Sequence, residues 1–276
     1  MLILRWDGEI AREQPDELVD EEPLEIRIQG RAISVTMRTR GHDVDLAAGF
    51  LLTEGIIHRH QDVISIKHCA HNQGHNVLNV VLAPGVSVDF RRLTRHLFAS
   101  SSCGLCGKAT IESVHGQFPS VRSDIVIDAE LLATLPEKMR AAQATFERTG
   151  GLHAAALFDP AGRLIVLRED VGRHNAVDKV VGRCLLNGQL PLDEHVLVVS
   201  GRSSFEIMQK ALAARVPVVA AVSAPSSLAV EFAAESGQTV IGFLRDHRMN
   251  VYSHPHRISF GRIAKSHLAQ GEAGRT

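Results

Sequence analysis

The sequence predicts an α/β protein: a smaller α+β N-terminal domain, residues 1–120, followed by an α/β domain with a parallel-rich sheet, residues 121–276. Three observations carry this reading. "HVLVVS", "VPVVAAVS" and "QTVIGFL" are continuous apolar runs, and strands without alternation belong to a parallel sheet covered on both faces. They alternate with helical stretches, "SFEIMQKALAARV" and "SLAVEFAAESG", as a doubly covered sheet requires. The first half instead alternates apolar and polar residues, the mark of strands with one wet face.

From the N-terminus, "PLEIRIQGRAISVTMRT" reads as two strands joined at "QGR". "HDVDLAAGFLLTEG" has apolar residues at helical spacing and a glycine stop, so it is a helix. "DVISIKH" and "NVLNVVLAP" are strands around the polar tip "CAHNQGH". "VDFRRLTRHLF" leads into "SSCGLCGK", "KATIESV" opens a further helix, and "GQFPSVRSD" is a connector near residue 120. "DAELLATLPEKMRAAQATFERTGG" is helical, with a predicted interruption at Pro136 and a stop at Gly150-Gly151. "LHAAALFDPAGRLIVLRED" gives two strands about a "DPAG" turn, and "RHNAVDKVVGRCLLNG" a helix.

Bulk properties remove several classes. A chain of 276 residues with 45% hydrophobic and 22% charged residues can build its own core. A formal charge of −1 supplies no long-range field for nucleic acid or an anionic membrane. "MLILRWDGEI" is too short in apolar residues for a signal-peptide core, and no run approaches a membrane span. Four cysteines, Cys69, Cys103, Cys106 and Cys184, are too few for a disulfide framework at this size. A protein of the reducing cytoplasm is expected.

In an open parallel sheet, ligands bind beyond the carboxyl ends of the strands. Three such ends are legible. "SGRSS" brings Gly201, Arg202, Ser203 and Ser204, and "SAPSS" brings Ser223 and Ser226. "FLRDHR" brings Phe243, Leu244, Arg245, Asp246, His247 and Arg248. Free amides at helix N-termini with nearby arginines favour a phosphorylated ligand, and Phe243 can stack on a ring. Ordinary serine N-capping is the competing explanation for each loop alone.

Cys103 and Cys106 form a Cys-x-x-Cys in a glycine- and serine-rich loop. Zinc needs more ligands, and no second pair exists. A thioredoxin-like couple and a persulfide acceptor fit the residues equally. Lys108 and a following helix would lower the thiol pKa, as either chemistry wants.

Several blocks together resemble the formate dehydrogenase accessory sulfurtransferase family, FdhD. They include "LVDEEPLEIRIQGRAISVTMRTRGHDVDLAAGFLLTEGII", "SSCGLCGK", "TGGLHAAALF", "REDVGRHNAVDKVVG", "SGRSSFEIMQKA" and "SAPSSLAVEFA", and the likeness runs from about residue 19 to 256. The resemblance implies a cytidine-deaminase-like C-terminal domain, a homodimer, and a carrier that receives sulfur from a cysteine desulfurase. It further implies transfer to the molybdenum (or tungsten) bis(molybdopterin guanine dinucleotide) cofactor for the formate dehydrogenase catalytic subunit. Carried over by position, Cys103 matches the persulfide-bearing cysteine, Cys106 its companion, and Gly242 to Arg248 the cofactor-binding segment. Arg40 stands where the family pattern leads one to expect proline.

Other groups are weighed on their chemistry. His68, Cys69, His71 and His75 cluster at a hairpin tip, too loose for a metal site. His153 sits where a deaminase ligand could, but Ala155 replaces the catalytic glutamate, so deamination is excluded. His174, Asp178 and Lys179 are read either as ligand contacts or as local ion pairs, with His174 and Asp178 on one helix face. Glu206 and Lys210 are expected as a solvated pair, and Cys184 as core. Competing functions are a phosphosugar-binding, isomerase-like module and a dithiol oxidoreductase.

Overall fold

The computed structural model describes residues 1–69, 74–90, 114 and 116–261. Cys103, Cys106, Lys108 and His71, with the helix expected from "KATIESV", lie outside the described residues except for the end of that helix.

A hairpin that the sequence reading did not anticipate comes first: β1 (Leu2–Trp6) pairs antiparallel with β2 (Ala11–Pro15). Asp7 closes its turn, Oδ1 accepting from the amides of Glu9 and Ile10. The strands β3 (Glu22–Ile28) and β4 (Arg31–Arg38) form the predicted antiparallel pair. Gln29 (φ 50°) and Gly30 (φ 84°) both take the left-handed region, as a two-residue primed turn requires. With β5 (Val63–His68) and β6 (Val77–Leu82) they make a four-stranded sheet ordered β4-β3-β6-β5.

The helix α1 (Asp43–Thr53) packs on β5 and β6 and on α4 (Arg173–Leu186). The α1–α4 crossing is close enough to demand glycine on both helices. A Cβ on Gly49 would lie 1.8 Å from the Asp178 carbonyl oxygen, and one on Gly182 1.8 Å from that of Asp45.

The second half builds a six-stranded sheet in the order β13-β12-β11-β10-β8-β9. Its centre, β10 (Val196–Val199), β11 (Val218–Ala221) and β12 (Thr239–Arg245), is parallel, as the unalternated runs predict. β8 (His153–Phe158), β9 (Leu164–Asp170) and β13 (Arg248–Val251) add antiparallel edges, so the sheet is mixed. The physical cause of the missing alternation is visible in the packing. Leu197, Val199, Val219, Ala221 and Val240 enter one core cluster, while Val196, Val198, Val218, Ala220 and Ile241 enter another on the opposite face.

The first cluster also holds Leu24, Ile26, Leu46, Leu51, Val177 and Val180. It runs without interruption from the small sheet through α1 and α4 to the large sheet. α5 (Phe205–Ala213) and α6 (Ser227–Ser236) cover this same face. The opposite face is covered by α2 (Ala129–Ala141), with Leu132, Leu135 and Met139 buried. Pro136 does not interrupt α2; the break falls at Ala142–Gln143, before α3 (Ala144–Thr149). A proline removes one internal hydrogen bond, and here the buried stripe on the sheet outweighs that loss. A short parallel pair, β7 (Ile127–Asp128) with β14 (Ile258–Ser259), completes the fold. Among the described residues no helix is long and apolar enough to cross a membrane.

Candidate functional site

Two of the sequence-predicted loops are tied directly together at the carboxyl edge of the large sheet. Ser203 forms a parallel bridge with Pro225, and the Ser226 amide donates to the Ser203 carbonyl at 3.0 Å. The third strand end joins them: the Phe243 amide donates to the Ser223 carbonyl at 3.1 Å. Gly242 lies so close to Pro225 and Tyr252 that a Cβ would approach them to 2.6 and 3.1 Å. Gly201 rests against the His153 ring and the Arg173 side chain, which brings the start of β8 and the first turn of α4 to the same place.

The serine loops differ once their hydroxyls are followed. Ser226 is an ordinary N-cap of α6, its side chain accepting from the Ala229 amide at 3.2 Å. Ser204 holds the N-cap position of α5 but makes no side-chain cap; its Oγ lies 3.3 Å from His174 Nε2. The N-cap of α4 is Gly172, which has no side chain to cap with. Two adjacent helix N-termini therefore keep their first amides uncapped by side chains. Beside them, Ser203 Oγ and Arg173 Nε are buried without a hydrogen-bond partner. Unpaired buried donors are rare in folded proteins, because leaving one unmade costs about 1–3 kcal/mol. Uncapped amides, a guanidinium and a hydroxyl without partners have the chemistry of an anion site.

His174 also bonds Glu206 through Nε2 at 2.9 Å, and that bond holds the Glu206 carboxyl below its usual range. The His153 pKa is lowered, first by burial and then by the charges of Arg173 and His174. A neutral His153 suits a site that already concentrates positive charge.

The hairpin between β12 and β13 turns at Asp246 (φ 51°) and His247 (φ 55°), with Arg245 paired to Arg248. Arg245, Asp246, His247 and Arg248 are all exposed on this tip, and Arg202 is exposed on its loop. Phe243, Tyr252, Pro225, Ser226, Ser227, Ala224, Val230 and Glu231 line a groove of about 480 Å³ next to it.

Three expected ligand contacts are corrected. Leu244 is fully buried in the core cluster of the α2 face: β12 loses its regular register between Gly242 and Arg245, at the left-handed Phe243, and the shift returns Leu244 to the face that holds Ile241. Lys179 is 1% exposed, with Nζ 2.7 Å from Asp170 Oδ2 and 2.9 Å from the Thr39 carbonyl. Asp178 is equally committed: Lys210 Nζ bonds its Oδ2 at 2.9 Å and Thr53 Oγ1 its Oδ1 at 2.8 Å. Asp178 meets α1 through Thr53, and Lys179 reaches the Thr39 carbonyl ahead of it, so both fasten the two halves of the chain. Nor do Glu206 and Lys210 form a solvated pair, since Lys210 is buried against Asp178, Thr53 and Glu54. Burial works to lower the Lys210 pKa, but the charges of Asp178 and Glu54 outweigh it and the pKa is raised.

Cys184 is core, as expected; burial pushes its thiol up to about 11. Arg40 replaces the expected proline and bonds Glu22 at 2.6 Å and the Gly74 carbonyl at 2.9 Å, away from the site. Glu231 and Tyr252 escaped the sequence reading. Glu231 stands four residues beyond Ser227, one helical turn from the loop, and that spacing was the available signal.

Comparison with known proteins agrees with this architecture. Over 94% of this chain and 98% of the other, the fold matches the crystal structure of a chain designated a formate dehydrogenase accessory protein from Desulfotalea psychrophila, with a TM-score of 0.75 at 24% identity. The Streptomyces avermitilis sulfur carrier protein FdhD is 53% identical over 265 residues, covering 92% of each chain. The Saccharolobus solfataricus protein of the same name is 42% identical over 259 residues, covering 93% of this chain and 96% of its own. The FdhD/NarQ family model matches residues 19–259, a span that takes in the four- and six-stranded sheets, α1, α4 and all three edge loops, and the chain belongs to that family.

Proposed function

We propose that this protein is a sulfur carrier serving formate dehydrogenase: it accepts sulfur from a cysteine desulfurase in the cytoplasm and passes it to a molybdenum (or tungsten) bis(molybdopterin guanine dinucleotide) held as cargo. The observation that carries the cargo half is the convergence of Arg173 Nε and Ser203 Oγ, both buried and unpartnered, on two helix N-termini without side-chain caps. A pyrophosphate supplies acceptors for all of these donors. Arg245 and Arg248, on the exposed hairpin, can reach further phosphate oxygens from solvent. Membership of a family whose relatives are sulfur carriers supports the other half.

The sulfur step needs no outside oxidant. The Cys103 thiolate attacks the outer sulfur of the donor's persulfide, a new S–S bond forms, and the donor S–S bond breaks. The donor cysteine leaves as a thiolate, and Cys103 carries the persulfide onward. Cys106 is its companion thiol. Cys184 cannot substitute, because a buried thiol with a raised pKa supplies almost no thiolate.

The test is direct. After incubation with a cysteine desulfurase and cysteine, mass spectrometry should find one added sulfur on Cys103 and none on the Cys103→Ala protein. Absence of added sulfur on the unmodified protein, with a desulfurase active on another acceptor, would sink the proposal. For the cargo half, Arg173→Gln should weaken GDP binding by about 1.5–3 kcal/mol, the worth of a charged hydrogen bond.

A further inference from the structure

One side chain at the anion site carries the wrong charge for it. Glu206 stands in the first turn of α5, beside amides that no side chain caps. Its Oε2 lies 2.9 Å from His174 Nε2. The bond from His174, aided by the charges of His174, Lys210 and Arg173, outweighs burial and keeps the carboxyl below its usual range. Glu206 is therefore ionised near neutral pH, and an ionised carboxylate only accepts hydrogen bonds. The nitrogen that faces it must carry the hydrogen.

His174 Nε2 has one hydrogen to give, and Ser204 Oγ already lies 3.3 Å from the same atom. A phosphate oxygen arriving at His174 needs what the carboxylate needs, so it has to take the carboxylate's place. The exchange is cheap. The two side chains are 30% and 59% exposed, and an ion pair so open to water contributes little. The Lys179–Asp170 pair, at 1% and 0% exposure, is closed to any ligand. Glu206 is also an incomplete substitute for a phosphate. Ser203 is fully buried, and its Oγ has no partner even with Glu206 in place; Arg173 Nε is left in the same condition. A ligand with several anionic oxygens can serve His174 and these donors together, whereas one carboxylate serves His174 alone.

We propose that Glu206 is an internal counter-anion of the cargo site, bonded to His174 when the site is empty and displaced by the phosphates of the ligand. The inference rests on the anion-site reading above and deepens it, adding how the site exchanges what it holds. Such competition lowers the apparent affinity by the fraction of molecules in which the donor is free. That property suits a carrier, which has to let its cargo go.

The experiment measures equilibrium binding of inorganic pyrophosphate, at one ionic strength, to the full chain, Glu206→Gln, His174→Ala and the double variant. Glutamine keeps the shape and removes the charge at an exposed position, and urea unfolding confirms that each variant is folded. Glu206→Gln should bind pyrophosphate roughly threefold to fivefold more tightly, the worth of an exposed ion pair. In the His174→Ala background the same substitution should gain less than about 1.5-fold, because the donor under competition is gone. An equal gain in both backgrounds would make Glu206 a surface charge that repels the ligand from a distance. Unchanged or weaker binding in Glu206→Gln would make it an ordinary helix-terminus carboxylate. Either result overturns the proposal and leaves the anion site standing. If pyrophosphate binds none of these proteins, the anion-site reading falls and this inference falls with it.

Discussion

The first and second turns of α4 carry similar residues and do opposite work. Arg173 and His174 open the helix at the carboxyl edge, half-buried, with one guanidinium nitrogen unpaired and an imidazole shared between Ser204 and Glu206. Asp178 and Lys179, one turn on, are buried and saturated: Asp178 by Lys210 and Thr53, Lys179 by Asp170 and Thr39. The difference teaches that charge in a helix near a ligand edge is no guide to ligand contact. What distinguishes the turns is whether the polar atoms already have partners.

The sharpest way to break the comparison is to truncate Asp178. Asp178→Ala leaves the Lys210 ammonium buried and should cost about 3–5 kcal/mol in a urea-unfolding experiment. Replacing both partners, Asp178→Leu with Lys210→Met, should recover most of that loss, since a buried pair is worth little more than well-packed apolar residues. His174→Ala, by contrast, should lower stability by less than about 1 kcal/mol while weakening GDP binding. If the Asp178 and His174 variants lost equal stability, the division between the turns would be wrong.

A smaller effect tests the seam that the second turn secures. Gly182→Ala places a methyl against the Asp45 carbonyl, where backbone cannot yield cheaply. Overpacking of this kind typically costs about 1–3 kcal/mol. Thermal unfolding should show the loss, and Gly49→Ala, which meets the Asp178 carbonyl, should behave in the same way.

Most strands and helices were legible because their cause is local: the alternation of β3 and β4, the unbroken apolar runs of β10 to β12, the spacing in α1 and α4. The carboxyl-edge site was legible in outline for the same reason, since a serine–glycine loop between a buried strand and a helix is a local pattern. What escaped depends on contacts distant in sequence. Nothing near Lys210 announces that Asp178 and Thr53 will enclose it, as only the docking of α1 on α4 decides that. The role of Leu244 turned on the register shift between Gly242 and Arg245, which puts it on the core face with Ile241, three residues back. Pro136 misled because a proline is a strong local signal and the sheet beneath α2 is not local. Glu231 and Tyr252 stood in plain view but acquire meaning only when α6 and β13 flank Phe243.

The smallest predicted effect separates the two serine caps that the sequence presents as equivalent. Ser226 accepts from the Ala229 amide, so Ser226→Ala should destabilise the protein by about 1 kcal/mol, the usual worth of an N-cap. Ser204 makes no such bond, and its hydroxyl is directed to His174. Ser204→Ala should therefore leave unfolding nearly unchanged, while the loss of a hydroxyl beside uncapped amides weakens pyrophosphate and GDP binding together. The discriminating quantity is the ratio of the two losses, not either alone. A Ser204→Ala variant that lost stability like a cap and bound pyrophosphate normally would return that loop to plain helix capping, and the anion site would shrink to Arg173 and Ser203.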